Sequence, residues 1–354
     1  MVSIIKAMRT AIGKYSGMYK DIELVDFSAE LVKSITKNLK IDEVILGNVL
    51  ANNLGQNIAR QIAVNGNIDK EVPAYLINMV CGSGMKAIEL GYSSIVSGNN
   101  NVVLVGGVEK MTGSDNMLKD GLTDAFSNTH MGITAENIVE KYNFTREELD
   151  DYAFNSQRKA QNAIENGYFK AEIYNDMIDE YPRFNMEREK LSNLKPVFKE
   201  DGKVTAGNSS GINDGAAMLV LADEKYAKEN NLEVLANIRG FATVGYDPEY
   251  MGLAPIFSTK KLLEKFNLSV EDIDLFEANE AFSSVSLAFI KELNIPEEKI
   301  NVNGGAIAIG HPIGASGSRI VVTLVHELIR RDLKRGIATL CVGGGQGISI
   351  LIER

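Results

Sequence analysis

The chain predicts an α/β fold built around a largely parallel sheet. Two observations carry that expectation. Short β-type apolar runs alternate with amphipathic helical runs throughout, and the order of these elements recurs in the two halves of the chain. With 354 residues there is enough chain for two domains or one double core.

Residues 102–107, read Val-Val-Leu-Val-Gly-Gly, form a buried strand ending in glycine, and 337–342 and 348–352 are two more. A helix over 85–96 places Ile88, Tyr92, Ile95 and Val96 on one face. A second over 319–333 does the same with Val322, Val325, Leu328 and Ile329. The stretch 41–48 resembles 273–279. Each is followed by an Asn- and Gly-bearing turn (78–84 and 303–317), an apolar helix, and a strand ending in glycines at Gly107 and Gly345. Between the halves, 111–212 is more polar and less regular, and Tyr181-Pro182-Arg183-Phe184-Asn185 breaks any helix there. The expected organisation is 1–110 with 213–233 as the first half, 234–354 as the second, and 111–212 as an inserted region over the core, a common place for ligand contacts.

The formal net charge of −10 opposes binding to nucleic acid or to an anionic membrane. An anionic small substrate needs a local basic patch. No apolar run approaches the ~18 residues that span a bilayer. The opening residues, Met1 to Lys6, lack the pattern of a secretory leader, so a cytoplasmic location is expected.

Only two cysteines occur, too few for a disulfide framework. An arbitrary cysteine is more often a small buried hydrophobe than a reactive group. These two sit in Cys81-Gly82-Ser83-Gly84 and Cys341-Val342-Gly343-Gly344-Gly345, where glycine adds no packing but lets backbone and substrate approach the sulfur. Cys81 stands between an apolar run and a helix, where the helix dipole favours thiolate. His311 lies in the glycine-rich 304–317 loop, a setting for an imidazole that holds a thiolate or donates to a carbonyl oxygen. His326 falls inside an amphipathic helix and reads as an ordinary helix residue. His130, in the polar insertion, is evenly balanced between ligand contact and surface. Asn279, at the end of a strand-like run, is able to fix a water or a carbonyl, though such an Asn is usually a cap.

Other chemistries lack their residues. No His-Glu-x-x-His or Cys-x-x-Cys is present, so no metal ligand set is expected. The 304–317 loop has no Gly-Lys-Ser/Thr and no clean Gly-x-Gly-x-x-Gly, and no Gly-x-Ser-x-Gly elbow occurs.

Taken in order, the motifs resemble those of the thiolases, and among them the biosynthetic acetyl-CoA acetyltransferases, along nearly the whole chain. They are Val80-Cys81-Gly82-Ser83-Gly84, Gly121-Leu122-Thr123-Asp124-Ala125-Phe126, His130-Met131-Gly132 with Thr134-Ala135-Glu136-Asn137, and Thr205-Ala206-Gly207-Asn208-Ser209-Ser210-Gly211. Asn213-Asp214-Gly215-Ala216, Asn279-Glu280-Ala281-Phe282, the run from Asn303 to Pro312, and Cys341-Val342-Gly343-Gly344-Gly345 complete the set.

The resemblance implies two βαβαβαββ halves in a five-layered α-β-α-β-α core, with the inserted region covering a coenzyme A site. It implies that Cys81 takes up an acetyl group from acetyl-CoA. Cys341 then deprotonates a second acetyl-CoA, and their condensation gives acetoacetyl-CoA and CoA. His311 activates Cys81 and, with a water on Asn279, stabilises the enolate oxygen, while the amides of Cys81 and Gly343 hold the oxyanion. Coenzyme A contacts carry over to Leu122, His130, Met131, Arg183, Ala206, Ser210, Met251 and Phe282. Arg183 is the local positive charge, and His130-Met131 is of the short-chain type. The CoA thioesters are substrates, and no cofactor is implied.

Three places are shorter than in the family: near 38–41, between 111 and 119, and between 173 and 180. The second holds the loop that joins two dimers, so a homodimer rather than a tetramer is expected. The third trims the CoA-covering region, which lowers the expected nucleotide affinity. Gln346 and Ile58 replace the family's frequent Met and Pro. Two alternatives stand beside this reading: a degradative thiolase for longer 3-ketoacyl chains, and a silent CoA-binding paralogue.

Overall fold

In β5 (Val102–Lys110) alternate side chains reach two different cores, as the period of two along a strand requires. Val102 and Leu104 face one layer of helices, and Val103 and Val105 face another. The computed structural model describes residues 1–354. The other strands are β1 (Val2–Arg9), β2 (Gly13–Lys14), β3 (Glu43–Gly47), β4 (Ala74–Ile77), β6 (Asn213–Asp223), β7 (Ala236–Gly245), β8 (Leu275–Ala278), β9 (Arg335–Val342) and β10 (Gln346–Glu353). Helices α1 (Leu24–Ile35), α2 (Ile58–Asn65) and α3 (Ser83–Val96) belong to the first half. Helices α4 (Met131–Tyr142), α5 (Arg146–Glu165) and α6 (Arg188–Ser192) lie in the 111–212 region. Then come α7 (Glu224–Glu229), α8 (Ala254–Lys265), α9 (Ser283–Leu293), α10 (Ala306–Ile309) and α11 (Ile313–Arg330).

The strands run in the order β4-β3-β5-β6-β1-β7-β10-β9-β8, with β2 beside β6. The order mirrors itself about the β1–β7 pair. On one side β3 lies parallel to β5 and β5 antiparallel to β6; on the other β8 lies parallel to β9 and β9 antiparallel to β10. A lone parallel bridge from Phe276 to Ile300 stands where β4 stands in the first half. Three apolar cores then define five layers. Helices α1 and α2 cover the outer face of the first half. Helices α8 and α9 cover that of the second, and α3 and α11 fill the space between. Each buried Val, Leu or Ile in these cores contributes about 1.5–3 kcal/mol of transfer free energy.

The sheet is not largely parallel, as the sequence led us to expect. Only β3·β4, β3·β5 and β8·β9 are parallel, and the other pairings are antiparallel. β9 and β10 form a hairpin. β5 and β6 have the same geometry with residues 111–212 inserted between them, so each half closes with an antiparallel return. The helix read as 319–333 begins earlier, at Ile313, because Gly314, Ser316 and Gly317 dilute its apolar pattern. Those small residues are required. A Cβ on Gly317 would lie 2.6 Å from the Met85 nitrogen, and one on Gly84 would lie 2.8 Å from the Ser318 nitrogen, so α3 and α11 cross at backbone contact.

The inserted region is fastened to the frame from below. Arg9 of β1, fully buried, donates to Glu172 at 2.6 Å and to both Asp179 oxygens at 2.6 and 2.9 Å. Asp179 also accepts from the Ile12 N–H, and Glu172 from the Thr323 hydroxyl of α11.

Candidate active site

Cys81 follows β4 through a tight turn. Val80 takes φ +45°, a left-handed conformation that is costly for a β-branched residue. Ser83 supports the turn, accepting from the Met79 N–H at 2.9 Å and donating to the Val80 carbonyl at 2.6 Å. Gly82 leaves room where a Cβ would meet Val342 at 2.8 Å. The turn brings Cys81 to the N-terminal end of α3, between the two halves.

Cys341 is the penultimate residue of β9 and is buried. Beyond it Gly344 and Gly345, at φ +82° and +78°, make the return into β10. Burial pushes the Cys81 thiol up to about 11, against the opposing pull of the Gly343 and Cys81 backbone amides. Desolvation of the charged form thus works against the thiolate that the N-terminal end of α3 favours. Cys341 is raised further by burial and by the nearby charge of Cys81.

His311 lies between α10 and α11. Its N–H donates to Asn213 at 2.9 Å, and Gly310 (φ +114°) fits closely against the same Asn213 side chain. Its Nδ1 sits 2.6 Å from the Ser316 hydroxyl, which donates to the Pro312 carbonyl at 2.8 Å. With its one hydrogen committed there, Ser316 accepts from Nδ1–H, so the neutral ring keeps a lone pair on Nε2. Burial, and then Arg319, hold His311 down at about 4, so at neutral pH the ring is uncharged.

A cleft of about 1340 Å³ runs between the inserted region and the two halves. It is lined by Cys81, His311, Cys341 and Gly343, and by Leu122, His130, Met131, Arg183, Ala206, Ser210, Met251 and Phe282. Asn279 stands behind the lining. It is buried, its N–H donates to Thr339 at 3.0 Å, and both polar atoms of its amide lack a protein partner. His130 caps α4, its Nδ1 accepting from the Gly132 N–H at 3.0 Å, which leaves Nε2 to carry the ring hydrogen. Burial holds its pKa below the ordinary value. Arg183 is exposed, and Lys14 and Lys119 join it in lining the cleft, a local basic set on an acidic protein. His326 donates from Nε2 to the Ala7 carbonyl at 2.8 Å and is the ordinary helix residue expected.

Two contributors escaped the sequence reading. Phe198 stacks on His130 at 4.6 Å and meets Phe282 edge-on at 6.2 Å. Its only signal was an apolar pair, Val197-Phe198, in a polar stretch. Ser316 lay in plain view five residues after His311, but only the helical geometry brings it to Nδ1. No group of three or more His, Cys, Asp or Glu side chains is placed to hold a metal ion, and no helix is long and apolar enough to cross a membrane.

Residues 2–118 and 112–225 match the family model for the thiolase N-terminal domain, and 232–354 that for the thiolase C-terminal domain. A "Probable acetyl-CoA acyltransferase" of Staphylococcus aureus (strain NCTC 8325 / PS 47) is 47% identical, with 100% of this chain and 99% of the relative covered. That alignment runs over 389 positions, so the relative carries segments this chain lacks. The crystal structure of the Bacillus anthracis acetyl-CoA acetyltransferase superposes with a TM-score of 0.95 at 42% identity, covering 99% of this chain and 98% of that one. The Acat5 thiolase of Ascaris suum, in complex with coenzyme A, gives 0.96 at 40% identity over 100% and 99%. With family matches across both halves and relatives similar from end to end, this chain belongs to the thiolase family.

Proposed function

We propose that this thiolase-family acyltransferase is an acetyl-CoA C-acetyltransferase, joining two acetyl-CoA into acetoacetyl-CoA and CoA and running the reverse thiolysis. The observation that carries the reading is the convergence of two cysteines, a neutral imidazole and two backbone N–H groups on one cleft. His311 Nε2 takes the Cys81 proton as the sulfur attacks the thioester carbon, and the Cys81 and Gly343 amides receive the oxyanion. As the carbon–sulfur bond to CoA breaks, Cys341 protonates the leaving sulfur and becomes the thiolate that burial otherwise disfavours. After CoA leaves, Cys341 removes a proton from the methyl of a second acetyl-CoA, whose enolate oxygen rests on His311 and a water at Asn279. The carbanion attacks the acetyl carbon, and Cys81 departs as thiolate.

CoA thioesters are substrates here, and no cofactor is assigned. The nucleotide is assigned to Arg183, with His130, Leu122, Ala206 and Ser210 along the chain that leads inward, and a cytoplasmic homodimer is the proposed working form. The narrow end is assigned to Met131, Met251 and Phe282, all buried. Thiolysis rates measured across acyl lengths test this. The rate is expected to be greatest for acetoacetyl-CoA and to fall about tenfold or more for 3-ketohexanoyl-CoA, since added methylenes overpack a tight pocket. Rates that climb with chain length would make the protein a degradative thiolase, and no turnover at all would leave a silent CoA-binding paralogue.

Ser316→Ala is expected to lower kcat roughly five- to tenfold, the worth of about 1 kcal/mol for one hydrogen bond that sets the ring's tautomer. Steady-state kinetics, with CoA KM as the control, check it.

A further inference from the structure

Near the end of β5 stands Glu109, a carboxylate with no exposure to solvent and no cation against it. Its polar neighbours are all donors. Oε1 accepts from the Asn48 side-chain amide at 2.7 Å and the Leu50 N–H at 3.1 Å, and Oε2 from the Val49 N–H at 3.0 Å and the Gly314 N–H at 2.9 Å. They come from two segments far apart in sequence: the turn after β3, and the first turn of α11 just past His311. The fit leaves no slack, because a Cβ on Gly314 would lie 2.8 Å from Asn48 Cα and from Glu109 Oε2. Beside this junction Val49, Leu50, Met111 and Ile313 form a small buried cluster against which Cys81 packs.

We propose that the ionised Glu109 is a positioning residue for the acyl-transfer reaction: it clamps β5, the 48–50 turn and the start of α11 into one frame, and so holds His311 in register with the Cys81 sulfur. The inference rests on the function proposed above.

The surrounding donors decide which protonation state works. A carboxylate has lone pairs for all four, whereas a carboxyl must aim its O–H among donors and loses at least one contact. Burial pushes Glu109 up to about 7 against the pull of the Leu50, Gly314 and Val49 amides and of Asn48. Few other charged or titratable groups face it. Toward α3 lies the Cys81 thiol, which the Glu109 charge raises, and His311 stands two residues before the start of α11. β6 offers Gly215 opposite Glu109. The next residue, Lys110, turns away to the Lys20 and Ile22 carbonyls, and Asp214 opposite it accepts from the Met111 and Thr112 N–H groups. His311 and Cys81 stand at about 4 and about 11, so neither titrates near neutrality. On top of the fall in thiolate that a thiol near 11 shows at every lower pH, and against the small electrostatic relief from losing its charge, protonation of Glu109 near 7 loosens the frame and lowers Cys81 reactivity further. Stability runs the other way. Folded Glu109 keeps its proton above the ordinary 4.5, so its ionisation lowers stability as the pH rises from 4.5 to about 7.

Glu109→Gln and Glu109→Asp are compared with the wild-type protein from about pH 5.5 to about pH 9, by alkylation of Cys81 with iodoacetamide, mapped by peptide mass, and by thiolysis of acetoacetyl-CoA. Above the steady rise of alkylation with pH that a thiol near 11 gives in every variant, the wild-type protein is expected to show an added acid step near pH 7, and thiolysis is expected to show an acid limb at the same place. Glu109→Gln is expected to unfold no earlier than wild type at pH 8, to lose the limb, and to lose about 10- to 100-fold in kcat with CoA KM within about threefold. Glu109→Asp restores the limb with part of the rate. A Gln variant with wild-type kcat, or with the limb intact, overturns the clamp. A wild-type protein whose alkylation shows the limb but which turns over no thioester removes the proposed function and leaves the clamp on Cys81 standing. Should Glu109→Gln not fold, Glu109→Asp decides: reduced kcat with the limb present supports the clamp, and unchanged kcat overturns it.

Discussion

Cys81→Ala is expected to abolish the acetyl-enzyme, seen as loss of the single-acetyl mass increment after incubation with acetyl-CoA, and to lower thiolysis by about 10⁴-fold or more. The expectation follows from the two backbone N–H groups beside the sulfur. Those of Cys81 and Gly343 both act on the sulfur, lowering its pKa, and in the proposed reaction they receive the carbonyl oxygen displaced by its attack. Alanine keeps both donors and the turn but offers no atom to bond to carbon, and the neighbouring Cys341, at the end of a strand in the other half, does not share that pair of amides. Acetyl labelling that persists in Cys81→Ala would refute the assignment of the nucleophile. Fold is checked separately by thermal unfolding, which the small, half-buried side chain is expected to shift little.

Cys341→Ser separates the two halves of the reaction. The variant is expected to accept an acetyl group on Cys81 in a single-turnover assay yet to condense about 10³-fold more slowly, within the usual worth of a general base. A serine hydroxyl is a far weaker acid than a thiol, so it cannot become the anion that takes a proton from a methyl group. Burial already raises the Cys341 thiol, which puts the thiolate out of reach unless a departing CoA sulfur receives its proton. Burst-phase labelling with acetyl-CoA, followed by product analysis, distinguishes the two steps. Some slowing of acylation is expected from losing the acid that protonates the leaving sulfur, but condensation that falls no further than acylation would refute Cys341 as the base of the second step.

The strands at 102–107, 337–342 and 348–352 were legible because a run of β-branched residues between glycines has few other uses, and β5, β9 and β10 overlap all three. The recurrence of elements in the two halves was legible for the same reason and corresponds to the mirrored strand order. Strand direction was not. Parallel and antiparallel neighbours have the same local pattern, and the partner of β5 arrives only after the 111–212 insertion. At the site, the glycines beside Cys81 and Cys341 advertised open sulfurs. The protonation state did not show, since a residue string carries the helix dipole but not the desolvation that opposes it. Ser316 and Glu109 stayed hidden because each acts through one contact that folding alone creates.

The buried Arg9 beneath the inserted region has a consequence for traffic. Lifting residues 172–179 away would strand a guanidinium and two carboxylates without partners, at a cost of about 3–5 kcal/mol or more. This corner of the inserted region is thus part of the scaffold. In the proposed reaction that anchor would stay put from one turnover to the next, while each thioester enters and its spent carrier leaves past it.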